Sequence, residues 1–509
     1  MATTAVAPAQ NAAEPTLRKH ALGFPPLIAQ SVALISPTMT AVLIISYAFV
    51  DAGKGTWAAY LFGTVMLLFV VGGLNQFAKR SATAGSMYAY TARGLGPFAG
   101  VMSGWTLMWS YLFIAIAGLG GFEIFAQALI NALGIHLNVS PAILFAISGL
   151  ICGTIAIKDI RVSSLLTLFF EALSVTFILA LAAYVLFGKG IHVDSSVLAL
   201  KGVTLKGMDF AIVICIFSLV GFESATTLGG EARNPLRNMP RAVIWSLLIT
   251  GAFMVLMSYV EVYAVRNTGT PLSSLGNPLA TISALYGVSF FKIPIALGAS
   301  VSFFSLSLSC LNAGARLAFP LAKHGFLPKA LHRVHRTNLT PHVALAAYGA
   351  VIMIVAFSMY FAGTGAHTLF DDAGTLAAFG FLLAYFLITV AAPFYLRKMG
   401  ELRGRNIAIA VAAFACLMVP TVGSFYPAPP WPVNLFPYIF LGYMLAGGSW
   451  LYVMERRKAG TLAEIEADLE AALAASAHEA ALAEEQHHIH MPTGVGAGRP
   501  EVITAMQAE

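Results

Sequence analysis

Charge is what this 509-residue sequence most lacks: Asp, Glu, Lys and Arg make up 10% of it, against about 25% in an average soluble domain. Together with 58% hydrophobic residues and a mean hydropathy of +0.79, that scarcity excludes a water-soluble enzyme of ordinary composition. Cysteine is scarce too. Cys152, Cys215, Cys310 and Cys416 all fall inside apolar runs, without Cys-x-x-Cys or Cys/His spacing. They read as small buried hydrophobes, not as a disulfide framework or a zinc site. No His-Glu-x-x-His, Gly-x-Ser-x-Gly or ATP-binding P-loop occurs, which argues against an intramembrane enzyme and a primary pump. No cofactor is expected. The first 22 residues lack the apolar core of a signal peptide.

What is there is a series of runs of 18 or more residues almost free of charge, each long enough to cross a hydrocarbon layer of about 30 Å as a helix. The expectation is an all-α polytopic membrane protein with 12 transmembrane helices, near 25–50, 57–77, 98–130, 140–157, 162–187, 208–232, 241–265, 292–322, 343–362, 369–395, 406–424 and 433–453. With the N-terminus inside, the inner loops and tails hold 23 Lys and Arg and the outer loops 6, a strong positive-inside bias that places both termini in the cytoplasm. The net charge of +6 divides unevenly: residues 454–509 carry ten acidic and four basic residues, net −6, leaving +12 on the first 453. A basic membrane body faces anionic lipid, and no basic stripe interleaved with aromatics points to nucleic acid. The acidic tail spaces Leu462, Ile465, Leu469 and Leu473 by 3, 4 and 4, an amphipathic helix that either docks or stays solvated. His487, His488 and His490 near the end are a weak candidate for metal.

Most of these spans are scaffold, so the informative places are those where a helix cannot be regular. Pro37 lies near the centre of the first span. It has no N–H, clashes with the carbonyl of Ala33 and pushes Ser36 out of the α region. Freed backbone groups at bilayer depth persist only against protein, a cavity or a ligand. The carbonyls of Ala33 and Leu34 would be open acceptors, and the N–H groups of Met39 and Thr40 the positive end of a second half-helix. Side by side, they suit the ammonium and carboxylate of an α-amino acid. A plain proline kink, healed by the Ser36 and Thr38 hydroxyls, fits the same residues. In the sixth span, Phe217-Ser218-Leu-Val-Gly221-Phe222-Glu223 places a glycine at mid-helix and an ionisable carboxyl two residues later. A carboxyl at that depth marks a site, or a protonated group bonded to a neighbouring helix. Breaks five helices apart are the spacing of corresponding members in a five-plus-five inverted repeat.

Three further segments complete a pattern. Ala84-Gly-Ser-Met-Tyr-Ala-Tyr-Thr-Ala-Arg-Gly-Leu-Gly-Pro97, followed by Gly104-Trp105, precedes and opens helix three. Gly221-Phe-Glu-Ser224 leads to Gly230-Glu-Ala-Arg-Asn-Pro-Leu-Arg-Asn-Met-Pro-Arg-Ala242. Leu311-Asn-Ala-Gly-Ala-Arg316 leads to Lys323-His-Gly-Phe-Leu-Pro328 and Thr340-Pro341. In order and at the expected helix ends, these resemble the amino acid–polyamine–organocation superfamily of permeases over roughly residues 25–400. The resemblance implies a leucine-transporter-like 5+5 inverted repeat plus two extra helices. That divides the chain into an N-terminal tail (1–24), a ten-helix transport core (25–395), helices eleven and twelve (396–453) and a C-terminal tail (454–509). It implies a substrate held between broken helices one and six, by Ala33, Leu34, Ser36, Pro37, Thr38, Met39, Thr40, Phe217, Ser218, Gly221, Phe222 and Glu223. The family's Gly-Ser-Gly-like turn in helix one is here Ile35-Ser-Pro-Thr38, a bulkier and stiffer break.

In proton-coupled members a lysine at the start of helix five replaces a sodium ion, and Lys158 matches that position. Desolvated beside helices one and eight, its ammonium would titrate near physiological pH, with Ser305 and Ser309 lining the same pocket. Flanked by Asp159 and Arg161, it is equally an interfacial, positive-inside lysine. Glu231, Arg233 and Arg241 at the end of helix six are candidates for a cytoplasmic gate; Glu123, Glu171, Glu261, Asp371 and Asp372 are weaker carboxyls. The expected function is secondary active transport of an amino acid or related amine across the plasma (inner) membrane, as proton-coupled symport by alternating access. An amino acid/amine exchanger, or a transporter-like sensor signalling through the C-terminal tail, are the other readings. The partners are that small molecule, protons and the lipid bilayer.

Overall fold

The computed structural model describes residues 17–81, 86–188, 194–200, 202–269, 271–272, 275–426 and 429–471. Among them there is no β-strand, only an isolated parallel bridge between Leu22 and Ala232. In chain order the helices are α1 (Phe24–Ile35), α2 (Pro37–Met39), α3 (Ile45–Ala52), α4 (Thr56–Ala78), α5 (Ser86–Leu95), α6 (Pro97–Ala132), α7 (Pro141–Lys158), α8 (Ile160–Phe187), α9 (Ser195–Leu198), α10 (Leu205–Leu219), α11 (Pro235–Val265), α12 (Pro278–Leu285), α13 (Lys292–Lys323), α14 (His342–Phe361), α15 (Ala366–Lys398), α16 (Gly404–Gly423) and α17 (Phe436–Arg457); the tail adds α18 over 461–471.

Their ends follow local chemistry. Proline stands in the first turn of α1, α6, α7 and α11, where its missing N–H costs nothing. Side-chain oxygens of Asp159 and Thr204 cap the first amides of α8 and α10. The sequence expected one span over 98–130 and another over 241–265; the helices run on to 97–132 and 235–265. It expected α5, α9 and α12 to be loop. The segment of the first motif that lies in Ala84–Gly85, Leu473 and the terminal histidines lie outside the described residues.

Ten stretches among the described residues are long and apolar enough to cross a membrane, the first running over Phe24–Ala78. At 1.5 Å per residue its 55 residues are far too long for one crossing, and they turn back at Gly53, where φ is +51°. α17 is also 22 residues long but is not one of the ten. Burial sorts the helices: the apolar window of α13 is 78% buried, that of α16 only 17%. The interior is thus built on α13, α6 and α15, while α16 presents Val411, Phe414 and Met418 outward. Exposed apolar residues on this scale suit lipid, since soluble monomers rarely expose such area. Glycine brings the inner helices together: a Cβ on Gly118 would lie 2.2 Å from Ser307 Oγ, and one on Gly121 2.2 Å from the Phe303 ring, so α6 and α13 approach closely.

Candidate functional site

The first span is broken where Pro37 demands it. α1 stops at Ser36, which takes the left-handed conformation with φ +49°. The chain restarts as α2, passes through a π-helical turn over Thr40–Ile44 and continues as α3. Pro37 offers no N–H to the Ala33 carbonyl, and Thr38 gives its N–H not to Leu34 but to Glu171 Oε1, at 3.2 Å. The sixth span breaks as well. α10 ends at Leu219, Val220 is extended, Gly221 has φ +103°, and a 3₁₀ segment follows over Phe222–Thr227. Thus a helix expected over 208–232 is regular only to Leu219.

The two breaks meet. A Cβ on Gly221 would lie 2.2 Å from Leu34 Cδ2 and 3.3 Å from the Leu34 carbonyl carbon. Ser31 Oγ donates to the Phe222 carbonyl at 2.7 Å and accepts from the Ala225 N–H at 3.0 Å, while Ser224 Oγ donates to the Gln30 carbonyl at 3.3 Å. Backbone groups freed by each interruption are therefore satisfied partly by the other, as bilayer depth requires.

Around this junction stand two fully buried carboxyls. Glu171, on α8, accepts from the Thr38 N–H, lies 2.9 Å from Thr38 Oγ1 and takes the Ser302 hydroxyl on its other oxygen; Thr38 Oγ1 is also 2.8 Å from Ser174 Oγ. Glu223 accepts from Tyr111 at 2.8 Å and from Tyr385 at 2.5 Å, and the Tyr385 oxygen in turn accepts the Gly221 N–H at 3.1 Å. Phe222 stacks on the Tyr385 ring, centroids 5.0 Å apart. The amides expected to face a substrate carboxylate are engaged inside the chain: Met39 N–H points at Ser36 Oγ and Thr40 N–H at the Ser36 carbonyl, both at 3.4 Å.

Of the sequence candidates, Ala33, Leu34, Ser36, Pro37, Thr38, Met39, Thr40, Gly221, Phe222 and Glu223 gather at the junction and are buried. Ser218 turns to α4, 3.5 Å from the Tyr60 hydroxyl, and Phe217 is half-buried. Ser305 bonds back to the Val301 carbonyl. The Ser309 carbonyl accepts from Gln30 Nε2 at 2.8 Å, and its hydroxyl, like Ser164 Oγ and Gln30 Oε1, is buried without a partner. Lys158 is elsewhere. It is the last residue of α7 rather than the first of α8, cut off from α8 by the extended Asp159, and its side chain is exposed. The desolvation expected of it is absent here, because the helix break turns that end of α7 toward the surface.

The gate also differs from expectation. Arg233 and Arg241 are exposed. Glu231 pairs instead with Arg316 of α13, Nε to Oε2 at 2.5 Å and a second nitrogen to Oε1 at 3.1 Å, with both side chains buried. An N-terminal strap lies over this pair: Ala21 and Leu22 donate to the Glu231 carbonyl, the Arg233 N–H donates to the Leu22 carbonyl, and Arg18 bridges Asp159 at 2.5 Å. Sequence reasoning missed Tyr111, Tyr385 and the Arg316 pairing, which rest on contacts across 112, 162 and 85 residues; only Arg316 stood inside a quoted motif. Among the described residues no group of three or more His, Cys, Asp and Glu could hold a metal ion.

The family model described as amino acid permease matches residues 27–459. The branched-chain amino acid permease BcaP of Bacillus subtilis (strain 168) is 24% identical, over 73% of this chain and 78% of its own. The low-affinity putrescine importer PlaP of Escherichia coli (strain K12) is 23% identical, over 74% and 80%. The serine/threonine exchanger SteT of Bacillus subtilis is 25% identical, over 72% and 81%.

Proposed function

Because this chain belongs to the amino acid permease family, we propose that it is a secondary transporter of an amino acid or a related amine, working by alternating access. The family and the relatives are transporters, not enzymes, and the apolar helices make this an integral membrane protein. The observation that carries the reading is the contact between two interrupted helices, Leu34 against Gly221. Paired discontinuous spans put bare peptide dipoles and polar side chains at the membrane midplane, the usual construction of a carrier site.

In this reading Phe24–Ala78 crosses twice and α17 supplies the twelfth crossing. Residues 25–395 form a 5+5 inverted-repeat core, 396–453 helices eleven and twelve, and both tails lie in the cytoplasm of an inner-membrane protein. The substrate sits among Ala33, Leu34, Ser36, Pro37, Thr38, Met39, Thr40, Gly221, Phe222 and Glu223. The buried Glu231–Arg316 pair and the strap above it close the cytoplasmic side. Opening inward then requires that pair to separate.

Protons drive the uptake. The purified protein in liposomes, given a panel of amino acids and amines, is expected to accumulate one of them in empty vesicles under an inward pH gradient. A proton ionophore abolishes that accumulation. Uptake confined to preloaded vesicles favours exchange, the second reading, which the likeness to a serine/threonine exchanger supports. Transport of nothing in the panel by folded protein overturns both.

A further inference from the structure

The buried charges of the described residues do not balance. Five charged side chains are buried: Glu171, Glu223, Glu231, Glu261 and Arg316. Arg316 is taken by Glu231 in a two-pronged pair, which leaves three carboxyls with no buried Lys or Arg to face. Glu261 lies in α11, with neither oxygen partnered. The other two flank the junction: Glu171 sits on the N-terminus of α2, and Glu223 follows Gly221, which abuts Leu34.

A helix N-terminus left open by a break attracts an anion. Here the chain supplies the anion itself, since the Glu171 carboxyl occupies the Thr38 N–H. Three other donors at the breaks are used too. Met39 and Thr40 N–H turn to Ser36, and Gly221 N–H turns to Tyr385. What the junction offers outward is acceptors: two carboxyls, the Ala33 carbonyl that Pro37 cannot reach, the Leu34 carbonyl that Thr38 does not take, and the faces of Phe222 and Tyr385. Carboxylate on a solute would meet two carboxyls, with the amides of Thr38, Met39, Thr40 and Gly221 already engaged. An ammonium would meet opposite charge, free carbonyls and ring faces.

From the buried carboxyls of Glu171 and Glu223, one at each helix break, we infer that the substrate is a cationic amine without a carboxylate. This rests on the transporter reading above and narrows it. Glu171 stands in for the carboxylate that an α-amino acid would bring, and Glu223, steered by Tyr111 and Tyr385, receives an ammonium. A free α-amino acid is disfavoured because it places a third carboxylate beside these two.

Cadaverine and lysine isolate the point, since they differ only by the α-carboxylate. The full-length protein is assayed in liposomes for uptake of both, with isoleucine as a neutral amino acid. In parallel, the unfolding temperature of the wild-type protein in detergent is followed with each solute. Cadaverine is expected to bind at least tenfold more tightly than lysine and to raise the unfolding temperature. Glu171→Gln and Glu223→Gln, checked for folding by size exclusion, are each expected to reduce cadaverine uptake more than tenfold. Equal or better binding and uptake of lysine or isoleucine overturns the inference and leaves the transporter reading standing. Cadaverine uptake unchanged in a folded Glu171→Gln variant overturns it as well. Where a variant does not fold, the wild-type cadaverine-to-lysine ratio decides. Failure to transport or bind any of the three overturns the inference, and failure across the wider panel overturns the transporter reading too.

Discussion

Arg316 and Glu231 show how much one side chain can carry at this depth. Each is buried, so removing one leaves the other a buried charge without its counter-ion, whereas removing both leaves an apolar gap. Arg316→Ala should therefore destabilise the protein by about 3–5 kcal/mol, while the double variant Arg316→Met with Glu231→Leu recovers most of that loss. Thermal unfolding in detergent for these two variants is the check, and a double variant no more stable than Arg316→Ala would argue against the pair. Lys158 gives the opposite expectation. Exposed at the end of α7, it should be replaceable: Lys158→Ala is expected to unfold at the wild-type temperature and to keep the pH-driven accumulation proposed for the wild type. Loss of accumulation without loss of stability would show that this ammonium enters the bundle in another conformation. The sequence showed a lysine at a helix junction, but not which way that junction turns. That is set by Asp159, whose extended backbone ends α7 and whose carboxylate caps α8.

At the scale of elements, the interruptions were the legible part, because proline and glycine carry their consequences in their own covalent structure. Pro37 cannot donate to Ala33 whatever surrounds it, and the chain breaks one residue earlier. Gly221 was legible only as an oddity, and the structure supplies the reason: φ is +103° and Leu34 leaves no room for a Cβ. Gly221→Val should insert into the membrane and keep the helix content of the wild type, yet lose substrate binding more than tenfold. Wild-type affinity in that variant would count against the junction as the site. What could not be read was the partner of each break. Glu171 comes from 133 residues away to cap α2, and no periodicity in α8 announces it. Packing distances were equally hidden. Gly314 looks like any helical glycine, but a Cβ there would fall 2.0 Å from the Tyr348 ring, whose hydroxyl is bonded to the Met108 carbonyl. Gly314→Ala must push α13 from α14 and is expected to cost about 1–3 kcal/mol, read as a lower unfolding temperature.

The whole molecule is tied at one end by both of its tails. The N-terminal strap holds Glu231 and Asp159, and α18 folds back under the bundle. Glu455 accepts the Gly460 and Leu462 N–H groups at 2.9 Å each and so turns the chain. Ile465 and Leu469 bury their side chains, while Asp468 reaches Lys323 Nζ and His324 Nε2, both at 2.8 Å, with Tyr88 on the other imidazole nitrogen at 2.7 Å. The amphipathic spacing of the tail was legible, but its seat at the end of α13 was not. Burial lowers the His324 imidazole below its usual range, aided by the charges of Lys323 and His332 and opposed by its bond to Asp468. Burial alone would raise the Asp468 carboxyl, but its hydrogen bonds to Lys323 and His324 outweigh that and leave it below its ordinary value. Release takes those two bonds from Asp468, which therefore holds fewer protons docked than released, and linkage makes acid favour release through this carboxyl. Docking should weaken as pH falls toward about 4, where a released aspartate carboxyl takes a proton. Hydrogen exchange over 461–471 should quicken along that course in the wild type. Asp468→Asn loosens the tail already at neutral pH and removes that acid step. Exchange that is independent of pH, once its intrinsic acid and base dependence is divided out, would mean that Ile465 and Leu469 alone hold the tail against the bundle.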